Sequence, residues 1–524
     1  IKSLIASESS KPFDLSKDLM IRLTLIKLSA EENILVLVMH HIASDGWSLG
    51  VFEAELMQLY LAHKGGQQHA LTPLPIQYAD YAAWQQQYLN ELELKQQCDY
   101  WLGQLSGQPL LHDLPSSQVR PQQQTFTGRT LVQSFDNNLL NKLKQLSREL
   151  DVTLFMLLET TLALLLARFS QQQDIIIGSP ISGRNYKEIE PLIGFFVNTL
   201  VLRTQLQDDM SFKDLISHNR ENILQAFSHQ EMPFDLLVEK LELPRSLSYS
   251  PVLQIAFVLQ NNQPFDLSMP DLSIEHVNTG KSLIKFDLEL AAFEVEQGLL
   301  LNWNSSDCIF DEQTMDALGK GYELLLYGIV DAPNASIYQL PVTSNEDLTK
   351  QAEWAGNCAK VSQIVDICSK EHTDGAVVAG IRSYVLDNQR KPVPVGIPGY
   401  LYLGIDDSSK PDLTHLDYKV QESAGDSVLH RPNESLVKTK HWVRYNPAGE
   451  LEFICTVDEK VNVNGLPLPI YHVRKQLQSL DCVADAAVVA LENDNRSVHS
   501  PDSSRCRPGG IGRKNHCFGG RYGA

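Results

Sequence analysis

Two adjacent histidines at the end of an apolar segment are the residues best suited to acid–base chemistry in this chain. His40 and His41 follow the apolar residues 36–39, and Asp45 and Gly46 come shortly after them. Imidazole titrates near neutral pH, so His41 can accept a proton from an amine or hydroxyl nucleophile. Asp45 can fix the turn by capping a helix or by an ion pair, and Gly46 lets the backbone approach a substrate closely. The pattern H-H-x-x-x-D-G between a strand and a helix therefore predicts a catalytic site.

The same residues allow two other interpretations. The histidines can be packed at a strand end without any chemical role. Zinc binding by His40, His41 and Asp45 is the other alternative. Adjacent residues of a strand point to opposite faces, so the two histidines should not chelate one ion. We therefore expect no metal at this site.

The composition narrows the class of protein. With 524 residues, 43% of them hydrophobic, the chain predicts several folding units with sizeable cores. A formal charge of -20 argues against a nucleic-acid partner, which would require a basic face. The eight cysteines form no metal-binding pattern, which favours free thiols in a reducing compartment. Together with the acidic charge, this predicts a cytoplasmic location. Glu159 and two threonines interrupt the apolar run 154–166, so we expect a core helix and no membrane span there.

The pattern of apolar residues predicts the elements that position the histidines. Alternation and continuous apolar runs indicate strands, and spacings of three and four indicate helices. Strands are expected at 20–28, at 34–39 as a buried partner of the first, and at 174–179, 193–203, 253–260 and 286–293. Helices are expected at 47–63, 139–150, 153–169, 312–330 and over most of 212–241. The fold class is therefore expected to be mixed α/β (α+β). The first two-thirds of the chain has no repeated βα unit and no Gly-rich phosphate loop, which argues against a doubly wound nucleotide-binding fold there.

Several further segments occur with HHIASDGWS in a fixed order. They are YADYAAW at 78–84, IGSPISGR at 177–184, IGFFVNT at 193–199, HQEMPFD at 229–235 and SPVLQ at 250–254, followed by Phe257. Over residues 10–345 the chain resembles the condensation domains of non-ribosomal peptide synthetases. That family shares its fold and its HHxxxDG motif with chloramphenicol acetyltransferase.

The resemblance implies a fold and a reaction. Two chloramphenicol-acetyltransferase-like lobes would form a V, with the active site at their junction. Peptidyl carrier proteins would deliver an acyl or peptidyl thioester and an aminoacyl thioester on phosphopantetheine arms, so no cofactor would bind directly. His41, beside His40, would act as base or position the amine, Asp45 would be structural, and the backbone of Gly46 would line the site. The residues of the motif, IASDGWS, most resemble those of members that join an L-donor to an L-acceptor.

The other motif residues are expected to have structural roles. We predict that Phe195, Phe196 and Val197 belong to the core and that Asn198 bonds to backbone near the site. Tyr78, Asp80 and Trp84 are expected to pack between the lobes. A helix should start at residues 233–235, with Asp235 near its cap.

The resemblance has a departure at each end. A basic segment that precedes HHxxxDG in the family is not found, so the first lobe, 1–105, is expected to be incomplete, which puts activity in doubt. The arginine most expected to pair with Asp45 would lie in that segment, with Arg184 as the alternative. The second lobe would span 106–345, and residues 346–495 resemble an adenylation domain without its middle. There VKTKH at 437–441 replaces the family's YRTGD, and Asp458 remains as the hinge. We expect no ATP binding, and a disordered tail at 496–524.

Three functional hypotheses remain open from the sequence. The first is amide formation between carrier-bound thioesters by a fragment of a peptide synthetase. The second is a stand-alone acyltransferase that uses CoA thioesters, which the adenylation remnant argues against. The third is an inactive fragment that only docks carrier proteins.

Overall fold

A computed structural model provides the structure of the chain. It describes residues 1–66, 71–89, 91–116, 120–260, 272–275, 277, 282–355, 381–406, 419–420, 434–456, 460–463 and 466–469. The expected hinge Asp458 and the expected tail at 496–524 lie outside the described residues.

The N-terminal part contains one hairpin and four helices. They are α1 (Lys2–Ser10), β1 (Ile21–Lys27), β2 (Asn33–Met39), α2 (Gly46–Lys64), α3 (Tyr78–Tyr88) and α4 (Glu91–Gln104). β1 and β2 pair antiparallel from Ile21 opposite Met39 to Lys27 opposite Asn33, which confirms the predicted pairing. The prediction that β2 is buried is wrong. In the described residues its sheet has two strands, and Leu23, Leu25 and Leu35 are each more than half exposed.

The central part contains a mixed seven-stranded sheet with helices packed against it. Its elements are β3 (Thr127–Asp136), α5 (Asn137–Glu149), α6 (Leu154–Ser170), β4 (Asp174–Ile181), β5 (Asn198–Gln205), α7 (Phe212–Ser228), α8 (Phe234–Lys240), β6 (Ile255–Gln260), β7 (Ser282–Leu283), β8 (Leu288–Val295), β9 (Gly298–Ser306) and α9 (Glu312–Asp331). The strand order is β5-β4-β6-β8-β9-β3-β7, in which β6 is parallel to β4 and β8. The mixed α/β class is as predicted.

The core lies between this sheet and helix α6. Almost every residue of α6 is buried, which confirms the predicted core helix at 153–169. Thr153 caps its first turn by accepting a hydrogen bond from the backbone N–H of Met156. No single described helix is long and apolar enough to cross a membrane; α5 and α6 pass by length and composition only as a pair, and they are bent by 99°.

Two predicted elements are divided or shortened. The helix expected over 212–241 is two helices, because residues 229–233 leave the helix and Pro233 precedes α8. α8 starts at Phe234 with Asp235 in its first turn, as predicted. The strand expected at 193–203 begins only at Asn198. Residues 194 and 196 bond to side chains of the HHxxxDG turn through their backbone, which holds this segment as a loop.

The C-terminal part contains α10 (Asn345–Ala355), β10 (Ile381–Leu386), β11 (Gly399–Asp406), β12 (Lys419–Val420), β13 (Glu434–Tyr445), β14 (Leu451–Thr456), β15 (Lys460–Val463) and β16 (Leu466–Pro469). The strands β10 to β14 form a five-stranded sheet. Its side chains Val385 and Leu401 belong to the same buried cluster as residues of α6 and α9. Arg168 of α6 adds a buried ion pair to Asp387, with 3.4 Å between nitrogen and oxygen.

Candidate active site

The HHxxxDG segment folds as a short turn between β2 and α2. The Nδ1 atom of His40 accepts a hydrogen bond from the N–H of Ile42 at 3.1 Å and so caps a single 3₁₀ turn, His41–Ala43. Asp45 Oδ1 accepts from the N–H of Ser48 at 2.8 Å and caps α2. The cap predicted from the sequence is therefore present, and it fixes the position of the residues between β2 and α2.

Arg184 is the ion-pair partner of Asp45. Its Nη2 atom lies 3.2 Å from Asp45 Oδ1, and both side chains are almost completely buried. The expectation that this partner lies in a basic segment ahead of the motif is wrong, and the alternative, Arg184, is confirmed. Arg184 follows Gly183, which has a φ of +65°, and a Cβ there would lie 2.0 Å from the carbonyl oxygen of Phe196. Only glycine allows this backbone turn beside Phe196, and the turn places Arg184 against Asp45.

Ser48 joins the ion pair to the segment 184–196. Its hydroxyl accepts hydrogen bonds from Arg184 Nη2 at 2.8 Å and from the N–H of Gly194 at 3.1 Å. The hydroxyl proton has two acceptors within reach, Asp45 Oδ1 at 2.7 Å and the carbonyl of Gly194 at 2.9 Å. The N–H of Phe196 donates to Asp45 Oδ2 at 3.0 Å. One buried polar network therefore holds the HHxxxDG turn and the start of α2 against the segment 184–196.

The environment keeps Asp45 ionised. Burial by itself would raise the pKa of Asp45, but hydrogen bonds from Ser48 and Phe196 and the charge of Arg184 outweigh it and hold that pKa below its usual range. Burial lowers the pKa of Arg184, and the charge of Asp45 opposes that effect. The carboxylate is buried within these contacts, and the structural role that the resemblance implies for Asp45 stays a prediction.

The two histidines contact different aromatic rings. His41 is exposed, and its imidazole meets the ring of Phe195 at 90° with 5.3 Å between centroids. His40 lies 5.6 Å from the ring of Phe13. No other described residue donates to or accepts from the imidazole of His41. The imidazole is therefore accessible to solvent and has no hydrogen-bond partner among the described residues.

Gly46 begins α2 and is exposed. A Cβ at this position would meet no described atom within 4 Å. The described fold therefore sets no steric need for glycine here, and the space beside its backbone is open. As for metals, the described residues include no group of three or more His, Cys, Asp or Glu placed to hold an ion.

Asn198 organises the backbone next to the site. Its Nδ2 atom donates to the carbonyls of Gln230 at 2.8 Å and Met232 at 2.7 Å, and its Oδ1 accepts from the N–H of Phe234 at 3.0 Å. This confirms the predicted hydrogen bonding to backbone. It also explains why the helix breaks between α7 and α8, since the amide satisfies backbone groups that would otherwise require helical partners.

An aromatic cavity of about 280 Å³ lies between α3 and the segments 195–199 and 230–235. Its walls include the rings of Tyr81, Trp84, Tyr88, Tyr186 and Phe195. The prediction that Phe195 is a core residue is wrong, because 39% of its surface is exposed, whereas Phe196 is buried as expected.

The motif residues of α3 contact the segment 186–196, and one of them caps the helix. Tyr78 donates through its hydroxyl to the carbonyl of Phe195 at 2.9 Å, and its ring lies 5.2 Å from that of Phe196. Asp80 accepts from the N–H of Gln77 at 2.8 Å and caps α3, while Trp84 contacts Tyr186. These contacts across 78–84 and 186–196 agree with the predicted packing role.

Sequence reasoning missed Ser48 and Phe195. Ser48 follows the cap residue Asp45 by three positions, where a hydroxyl can return to the cap, and that spacing was the available signal. Phe195 stands next to Phe196, and nothing in the dipeptide distinguishes the exposed ring from the buried one.

Comparison with known proteins places these features in a family. Residues 1–351 match the family model described as Condensation domain. The chain is 42% identical over 353 residues to a linear gramicidin synthase of Brevibacillus parabrevis, covering 67% of this chain and 4% of that protein. It is 30% identical over 506 residues to a plipastatin synthase of Bacillus subtilis (strain 168), covering 88% of this chain and 19% of that protein.

Solved structures agree with this likeness. The X-domain in complex with OxyB from teicoplanin biosynthesis aligns with a TM-score of 0.62 and 27% identity, over 66% of this chain and 77% of that one. A four-domain nonribosomal peptide synthetase bound to AMP and glycine aligns with a TM-score of 0.71 over 94% of this chain and 60% of that one. At 14% identity, the second likeness concerns the fold alone.

The length of the match supports one conclusion. The chain spans 4% to 7% of the length of the first three curated relatives, all of them linear gramicidin synthases. The family model nevertheless covers well over half of the chain, and the HHxxxDG turn that marks the family is folded and braced by Arg184. The chain belongs to the condensation-domain family.

Proposed function

We propose that this chain forms peptide bonds in non-ribosomal peptide biosynthesis. The donor is an acyl or peptidyl thioester on one carrier protein, and the acceptor is an aminoacyl thioester on another. The sequence of the HHxxxDG motif favours an L-donor and an L-acceptor. The observation that carries this proposal is the folded HHxxxDG turn, in which the imidazole of His41 is accessible while Asp45, Arg184 and Ser48 lock the backbone around it.

The residues divide the chemical work. The acceptor amine attacks the carbonyl carbon of the donor thioester, the C–N bond forms, the C–S bond breaks, and the carrier thiol leaves with a proton. His41 accepts a proton from the attacking amine or holds that amine in line. His40 caps the 3₁₀ turn beside it, Gly46 lines the open space, and Asp45 fixes the geometry. No step requires a cofactor bound to the chain.

The partners follow from this reaction. Upstream and downstream peptidyl carrier proteins deliver the substrates on phosphopantetheine, and other synthetase modules supply those carriers. We also propose a cytoplasmic location, with no nucleic-acid and no membrane partner. The negative net charge supports the exclusion of nucleic acid.

The division of the chain is part of the proposal. Residues 1–105 and 106–345 are the two lobes, 346–495 are a degenerate adenylation remnant, and 496–524 are a tail. The similarity to the plipastatin synthase extends over 506 residues and so continues past the condensation domain, which supports a synthetase origin for the C-terminal part. Residues 437–441 lie within β13, with VKTKH where the ribose-binding motif is expected, so we propose that this part does not activate amino acids.

A transfer assay tests the proposed reaction. The chain is incubated with a donor carrier loaded with one L-amino acid and an acceptor carrier loaded with another, and intact-protein mass spectrometry follows the acceptor. We expect a mass increase equal to the donor acyl group. Transfer from acyl-CoA to a free amine without any carrier would instead support a stand-alone acyltransferase. No transfer in either arm would support an inactive, carrier-docking fragment.

A further inference from the structure

The aromatic cavity is walled by rings that are partly exposed at its rim. Trp84 stacks on Tyr88 with 4.9 Å between centroids, meets Tyr186 edge-on at 5.0 Å and lies 5.8 Å from Tyr81. Trp84 and Tyr186 each expose more than a third of their surface at the rim. Together these four rings, with Phe195, give the cavity an electron-rich wall.

The same cavity carries negative charge. Glu231 and Asp235 line it, and no lysine, arginine or histidine is among its described lining residues. The charge of Glu231 raises the pKa of the Tyr88 hydroxyl, so the carboxylate acts on the ring wall of the cavity. Arg184 lies behind Phe196 but is already paired with Asp45. A carboxylate beside aromatic faces, without a basic neighbour in the wall, is the environment that binds an organic cation.

Phe195 connects the cavity to the proposed reaction centre. Its ring lines the cavity and also contacts the imidazole of His41. A substrate that reacts at His41 can therefore extend a side chain past Phe195. The cavity volume of about 280 Å³ is just below the range of about 300 to 1,000 Å³ for whole small-molecule sites, so it suits one side chain.

We propose that the aromatic cavity is a side-chain subsite for a primary alkylammonium or guanidinium group on the aminoacyl or peptidyl substrate. The identity of the occupant as a substrate side chain rests on the proposed function. Binding of the cation does not depend on the proposed function, because the described fold forms the cavity by itself. Glu231 neutralises the charge, and Trp84 with the tyrosines contacts the cation through their faces.

Calorimetric titration of the full chain tests the binding. The probe is n-butylammonium, and n-butanol is its uncharged counterpart of similar shape. We expect the alcohol to bind at least about tenfold more weakly than the cation, and Glu231→Gln to weaken cation binding about tenfold, since the charged partner is lost. Trp84→Leu should also weaken it, while keeping an apolar side chain. Glu239→Gln, an exposed position on α8 outside the cavity, is the matched control and should leave affinity unchanged.

The outcomes separate this inference from the proposed function. Equal binding of alcohol and ammonium, or full cation affinity in both Glu231→Gln and Trp84→Leu with unchanged melting temperatures, would overturn the subsite. The side-chain role is then measured in the transfer assay with ornithyl and norvalyl acceptors or donors. A preference for the ornithyl substrate that Glu231→Gln removes supports the role, and equal rates overturn it. Transfer of no substrate at all, while n-butylammonium still binds through Glu231, would refute the proposed function and leave a cation site.

Discussion

Removal of the Arg184 guanidinium should destabilise the docking of the HHxxxDG turn. In Arg184→Met the carboxylate of Asp45 stays buried but loses its opposite charge, and the carbonyls of Ile189 and Leu192 lose donors at 2.6 and 2.8 Å. Breaking a buried ion pair by removing one partner costs about 3–5 kcal/mol. Asp45 keeps hydrogen bonds from Ser48 and Phe196, so we expect the lower end, about 3 kcal/mol.

Urea unfolding followed by tryptophan fluorescence measures this cost. Trp47 reports on the docking of α2 against the segment 184–196, because its indole N–H donates to the carbonyl of Glu190 at 3.0 Å. Arg148→Met removes an exposed arginine of α5 and serves as the control, with an expected change within about 0.5 kcal/mol.

A double-mutant cycle isolates the ion pair itself. Once Asp45→Asn has removed the charge, Arg184→Met should cost less than in the wild-type chain, with a coupling of about 1–3 kcal/mol. A cost below about 1 kcal/mol for Arg184→Met, or a coupling near zero, would refute the view that Arg184 braces Asp45.

Three further predictions concern other groups. Burial raises the pKa of Glu159 from 4.5 to about 7, so the folded chain retains a proton that the unfolded chain releases. The free energy of unfolding should therefore fall by about 3 kcal/mol as the pH rises from below 4.5 to above about 7. Glu159→Gln should remove this pH dependence, which is measured by unfolding at pH values on both sides of that range. An unchanged pH dependence in the variant would contradict this. Phe195→Leu should lower kcat for transfer by about tenfold with little change in KM and shift the NMR signals of the His41 ring, while Phe195→Trp restores both; unchanged signals in the leucine variant would contradict a positioning role. Asn198→Ala should cost about 1–3 kcal/mol in urea unfolding, because partly buried backbone groups at 230–234 lose their partner, and a neutral result would contradict that account.

Local chemistry made part of the site predictable. A strand, a turn and a capped helix around His41 follow from apolar patterning and from the capping preference of Asp45. The hydrogen bonding of Asn198 to backbone was also predicted, although Asn198 lies inside the strand expected at 193–203. These features depend on neighbours close in the chain, or on motifs whose order is visible in the sequence.

Contacts between distant segments were only partly predictable, since the sequence offered Arg184 as the alternative partner of Asp45 without indicating how the two side chains meet. Arg184 is 139 positions from Asp45, and nothing in either segment indicates that Gly183 turns the chain so that the two side chains meet. The strand expected from residue 193 begins at 198 for the same reason, since bonds to Ser48 and Asp45 outweigh a strong β propensity. The exposure of β2 depends on how many strands its sheet has, which an apolar run cannot reveal.

The measurement that tests the central claim most directly is single-turnover amide formation by His41→Ala with two loaded carriers. His63→Ala changes an exposed histidine at the end of α2 and is the matched control. If His41 accepts the proton or positions the amine, its alanine variant should lose about 10²-fold or more in rate, while the control keeps the wild-type rate and both fold normally. An unchanged rate of dipeptidyl-thioester formation in His41→Ala would contradict the account.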